Sequence, residues 1–143
     1  MRILCLASWV ILLVVSAGIA LVSIQSAFVA FGDGNDNLTP AYSTVQIKEQ
    51  GGEEAFKAFK GRRVTAATWA LGYALLAIAV TLVPYRRGEQ WAWWALLIAM
   101  GLSQVLSIAR AVLIPTTSGA GTSGVLLAFI LLGLMAGAPR MFG

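Results

Sequence analysis

Four stretches of this chain are each long and apolar enough to cross a lipid bilayer, and nothing else in the sequence constrains the fold as much. They occupy residues 3–31, 64–85, 91–114 and 124–138, with a long polar segment at 32–63 between the first two. A helix needs about 20 mostly apolar residues to cross a hydrocarbon core ~30 Å thick. No water reaches that core, so backbone N–H and C=O groups must be satisfied within a helix or around a closed barrel. None of the four stretches alternates apolar with polar residues as a barrel strand must. The expected fold is an all-α membrane protein, with four transmembrane helices in an antiparallel bundle and a single domain over residues 1–143. Charged residues are only 11% of the chain, against about 25% in soluble domains. Mean hydropathy is +0.82.

The first stretch begins with Arg2, as a secretory signal would, but its apolar run is much longer than a signal's. It is read as a retained span. At about 1.5 Å per residue it exceeds the bilayer core, and should tilt or protrude.

Between the second and third stretches the chain reads PYRRGEQWAWW, from Pro84 to Trp94. Pro84 and Tyr85 close one helix, RRGEQ makes a tight aqueous turn, and Trp91, Trp93 and Trp94 open the next. Trp and Tyr favour the headgroup layer, where an apolar ring carries a polar N–H or O–H. Tyr85, Arg86, Arg87, Trp91, Trp93 and Trp94 are therefore the expected interfacial anchors, with the arginines meeting water and lipid phosphate.

The polar segment opens with GDGNDNLTP, which is turn chemistry. Its Asp33-x-Asn35-x-Asn37 spacing begins like a calcium loop, but Leu38 and Thr44 stand where that loop needs glycine and a bidentate glutamate. After Gly51-Gly52, EEAFKAFKGRR reads as a short amphipathic helix before the second span. Acids begin it and bases end it, with Glu53 and Lys57 spaced as an i, i+4 pair. Phe56 and Phe59 share a face expected to lie on the membrane surface or on a partner.

The chain has no histidine and one cysteine, Cys5. It can form no disulfide within itself, supply no His-ligated haem or metal site, and run no Cys-x-x-Cys chemistry. No acid lies deep in a span, so proton-coupled exchange through an embedded carboxylate and paired-carboxylate catalysis are both disfavoured. The loop PTTSGAGTSG lacks the lysine of a phosphate-binding loop. The expectation is a non-enzymatic protein without cofactor or metal, and without a nucleic-acid partner.

Polar groups inside a bilayer are costly and mark functional sites by default. The third span carries Ser103, Gln104, Ser107 and Arg110, which follow helical spacing and make one face polar. Two readings stay open. The stripe faces the bundle interior, where serines and glutamine bond across helices and Arg110 snorkels to the nearby edge. Alternatively it lines a small cavity in which Arg110 binds an anionic headgroup or a quinone carbonyl. Antiparallel spans would bring Asp33 and Asp36 near the depth of Arg110, where a salt bridge would clamp the long loop. Gly133-x-x-x-Gly137 in the fourth span is a seam for close helix approach, inside the bundle or with a partner. Ser16 and Ser23, seven apart, form another in the first. Lys and Arg counts at the two ends are nearly balanced. The tight Arg-Arg turn is expected to stay inside and the long mixed-charge segment to be translocated, leaving both termini cytoplasmic.

GRRVTAATWALGYALLAIAV, beginning at Gly61, and then PYRRGEQWAWW resemble a pattern in small four-helix bacterial membrane proteins, loosely DoxX-like. These share an arginine before the second span and a Tyr-Arg-Arg-Gly-Glu, Trp-Ala-Trp-Trp hairpin. The resemblance covers about a quarter of the chain. It implies four spans in a bacterial inner membrane and transfers no catalytic residue. The expected role is an accessory, stabilising or assembly subunit, partnered by membrane lipids and other integral membrane subunits. The alternative is a small binding or transport protein for a lipid, quinone or other apolar molecule.

Overall fold

The structure, a computed structural model, describes residues 2–32, 37–39, 42–113 and 120–142. Helix α1 covers Arg2–Phe31. A small antiparallel ribbon follows, pairing β1 (Asn37–Thr39) with β2 (Tyr42–Ser43). Helix α2 (Thr44–Val80) runs into a wide π turn at Thr81–Tyr85. Helix α3 (Gln90–Leu96), a second π turn (Leu97–Gly101) and α4 (Leu102–Leu113) form the third rod. Helix α5 (Ala120–Phe142) is the fourth. Four rods are thus long and apolar enough to cross a membrane: Leu6–Phe31, Thr44–Tyr85, Gln90–Ala111 and Gly121–Phe142.

Two boundaries differ from the sequence expectation. The second rod starts well before its apolar run, because EEAFKAFKGRR continues into the span as one helix. Only Gly52 interrupts it, at φ 75° and ψ 177°, a conformation open to a residue without Cβ. The fourth rod passes through Pro139 to Phe142 instead of stopping before the proline. Tertiary contacts hold that last turn: Gln90 Nε2 donates to the Met141 carbonyl at 2.8 Å, and the Phe142 ring meets Trp93 edge-on at 5.3 Å.

The first π turn has a chemical cause. Pro84 lacks an N–H and its ring crowds the carbonyl four residues back, and a wider turn relieves both. The second, LIAMG, contains no proline, and its sequence does not explain it.

Packing follows the buried face of α1, where Ser8, Leu12, Val15, Ser16, Ala20, Ser23 and Ala30 recur at helical spacing. This face lies against α2 and α5. The core gathers Leu12 and Val15 with Ala77, Leu96, Met100, Ile130 and Leu134. The outer faces are apolar, with Leu21, Trp69, Leu76, Leu106 and Met135 exposed, as lipid-facing surfaces must be. From Trp69 to Tyr85 the rod rises about 24 Å, so residues 53–63 project past the level of Trp69.

Thr81 is fully buried in the first π turn, and its Oγ1 has no hydrogen-bond partner among the described residues. An unsatisfied buried hydroxyl costs about 1–3 kcal/mol. Thr81→Val should therefore leave unfolding in detergent unchanged or raise stability by up to about 1 kcal/mol. A clear loss of stability would mean that the hydroxyl has a partner, such as a bound water.

Candidate functional site

The polar stripe of the third rod turns inward. Ser103 Oγ lies 3.3 Å from Tyr73 Oη of α2 and donates to the Met100 carbonyl at 2.9 Å. Ser123 of α5 donates to Ser107 at 2.9 Å. Gln104 is buried beside them, while Arg110 is exposed at the end of the stripe. The serines therefore join α4 to α2 on one side and to α5 on the other. Asp33 and Asp36 lie outside the described residues, and so does the expected clamp between them and Arg110.

A crevice does lie between the second and third rods, but it is apolar. Tyr73, Leu76 and Val80 line one wall and Ala95, Leu96 and Ala99 the other, around a volume of about 70 Å³. Of the residues tied to the stripe it includes only Tyr73.

The seam in α5 is used internally. A Cβ added at Gly133 would stand 3.0 Å from Leu12 Cγ and 3.3 Å from Ile11 Cγ2. At Gly137 it would meet Tyr85 Oη at 2.0 Å and Ser8 Oγ at 2.6 Å. Both glycines admit neighbouring chain into the bundle and are covered by it.

Around Gly137 lies a polar junction that the sequence reading missed. Ser8 donates to the Gly133 carbonyl at 2.7 Å, and its Oγ lies 2.6 Å from Tyr85 Oη. The phenol also donates toward the Gly133 carbonyl at 3.3 Å, so both hydroxyls converge on that one acceptor. Three rods meet there. Ser8 was within reach of sequence reasoning, since it precedes Ser16 and Ser23 at nearly helical intervals. Ser16 and Ser23 instead donate to their own helix, at Leu12 and Ile19 carbonyls, and Ser16 also faces Met100 Sδ at 3.9 Å.

The expected interfacial anchors divide. Trp91 and Trp94 are exposed, as anchors should be. Tyr85 is only 2% exposed and belongs to the junction. Trp93 points inward as well: its indole N–H donates to the Leu134 carbonyl at 2.8 Å. Helical geometry explains the split, because positions three apart share a face and position 93 lies on the other. Arg86 stacks on Trp9, with Cζ 4.7 Å from the ring centroid, and Arg87 is exposed.

At the opposite end, the Phe face packs on the protein itself. Phe56 is buried and Phe59 half-buried, and with Lys60 and Arg63 they border a small cleft against Val29, Ala30 and Gly32 at the end of α1. Arg63 Nε donates to Ser26 Oγ at 3.5 Å. Lys48 and Lys60 sit 5.6 Å and 5.3 Å from the Phe56 ring. The expected Glu53–Lys57 pair is replaced by Lys48–Glu53 at 3.8 Å and Lys57–Glu54 at 3.2 Å. The kink at Gly52 separates the stretch carrying Lys48 from Glu53, so a pair can close across it.

Hydroxyls, a phenol and an indole thus serve as cross-links between rods. No family model, curated protein or solved structure matches this chain.

Proposed function

We propose that this protein is a non-catalytic accessory or assembly subunit of a larger complex in a bacterial inner membrane. In this reading its four spans form an antiparallel bundle. The amphipathic start of α2 stands at the far aqueous edge, and both termini face the cytoplasm. One observation carries the reading. Gly61, Thr65, Thr68 and Gly72 recur at helical spacing along α2, and all four are exposed. Among the described residues, nothing lies within 4 Å of a Cβ built at Gly61 or Gly72. The threonine hydroxyls are satisfied by the Gly61 and Val64 carbonyls of their own helix. A stripe of small residues lets a second transmembrane helix approach closely. The α5 seam is filled by the chain's own side chains, and this one is open.

Extraction in a mild detergent, followed by sizing and mass spectrometry, tests the proposal. The protein should migrate with a larger membrane complex. Gly72→Leu combined with Thr68→Leu should release it as a folded chain, since both positions are exposed among the described residues. Migration alone before any substitution, or retention of both leucines in the complex, would rule the reading out.

The apolar crevice favours a second reading, as a binding protein for a lipid or other apolar molecule. Its volume admits part of a hydrocarbon chain, and the Tyr73 hydroxyl offers a polar end. Recovery of the chain alone with one stoichiometric apolar molecule would support this reading.

A further inference from the structure

Cations at the two ends of the molecule are treated differently. At the far end Lys48 and Lys57 each have a glutamate within 4 Å. At the hairpin end, among the described residues, no carboxylate lies within ion-pair distance of Arg86, Arg87 or Arg140. The one acid in the turn, Glu89, accepts the Trp91 indole N–H at 2.5 Å.

These arginines are nevertheless held in place. Trp9 supports the Arg86 guanidinium from below, a cation–π contact that fixes the plane of the group. Arg140 comes from the last turn of α5, crosses Gly88 and donates to the Arg86 carbonyl. Gly88 has φ 85°, and a Cβ there would stand 3.4 Å from Arg140 Nε. Two guanidinium groups are thus fixed at one turn, and Arg87, exposed, lies next to Arg86 in the same turn. Exposed Trp91 and Trp94 on α3 mark the headgroup layer beside them.

Guanidinium groups bind phosphate through two parallel N–H donors, and uncompensated positive charge at this depth attracts anionic lipid. We infer that Arg86, Arg87 and Arg140 form a binding site for the phosphate of an anionic phospholipid, with Trp91 and Trp94 bordering its glycerol and upper acyl chains. The lysines at the opposite end, paired with glutamates and stacked around Phe56, do not form a second site.

Native mass spectrometry of the purified full chain with equal amounts of phosphatidylglycerol and phosphatidylcholine of matched chains tests this. The wild-type chain should retain phosphatidylglycerol preferentially. Arg87→Gln removes a charge with no side-chain partner among the described residues, so the fold should survive. It should lower the preference about fivefold, the effect of one interfacial charge worth ~1 kcal/mol. Arg86→Gln, Arg87→Gln and Arg140→Gln together should abolish the preference, whereas Lys57→Gln with Lys60→Gln should leave it intact. Equal retention of both lipids by the wild type would overturn the inference. So would an unchanged preference in folded Arg87→Gln, or loss of preference in the lysine variant. Displacement of bound lipid by equimolar glycerol phosphate would assign the site to a free phosphate and also refute the lipid.

Discussion

Gly137→Ala should destabilise the isolated chain by about 3 kcal/mol, at the upper end of what overpacking costs. The added Cβ would sit 2.0 Å from Tyr85 Oη and 2.6 Å from Ser8 Oγ. Neither atom can step aside without cost, because both belong to the junction on the Gly133 carbonyl and both residues are buried. Chemical unfolding in mixed micelles reads the loss. Adding Tyr85→Phe removes the atom in closest conflict, so the pair should be less unstable than the sum of its single changes. By itself Tyr85→Phe should cost only about 0.6 kcal/mol, the average for a hydrogen bond between transmembrane helices. Gly124→Ala serves as the control on the same helix, since among the described residues nothing stands within 4 Å of its Cβ position. It should be neutral or gain up to about 1 kcal/mol of helix propensity. Equal effects at Gly137 and Gly124 would mean that the junction is not packed as described.

The second large effect lies one turn earlier. Gly133→Ala brings a methyl to 3.0 Å from Leu12 Cγ and 3.2 Å from its Cδ2. Leu12 is fully buried and has no room to turn away, so a loss of about 1–2 kcal/mol is expected. Leu12→Ala alone should cost about 2 kcal/mol or more through the cavity it leaves. Lipid replaces water in the unfolded reference state, so the loss comes mainly from packing rather than from transfer. Together the two changes exchange volume across one contact. The double variant should recover at least about 1 kcal/mol relative to additivity, as touching residues do. Strict additivity of the two losses would place these residues apart.

The spans were legible because backbone satisfaction in lipid leaves helices as the simplest solution for long apolar runs. Their ends were less so. Pro139 reads as a stop, yet Gln90, Trp93 and Arg86 hold the turn that follows it, and those contacts are remote in sequence. The hairpin was legible as a turn, but spacing had to be applied within it: Trp91 and Trp94 face out, Trp93 in. Aromatic composition alone treated the three alike. The stripe from Ser103 to Arg110 was identified as one polar face, and its use in joining rods depends on Tyr73 and Ser123, each on a different helix. The glycine seam was recognisable, although which seam stays open was not. Gly133 and Gly137 have the familiar spacing and are covered, whereas Gly61, Thr65, Thr68 and Gly72 lie exposed.

The junction of Ser8, Tyr85 and the Gly133 carbonyl has a temporal consequence. Synthesis runs from α1 toward α5, so the two hydroxyls are made long before the carbonyl that completes their bonding. Trp93 waits in the same way for the Leu134 carbonyl. Until α5 packs, the Ser8 hydroxyl and the Trp93 indole lack the carbonyls to which they donate in the finished fold. Closure of this corner therefore waits for α5, the latest in sequence of the three elements that build it.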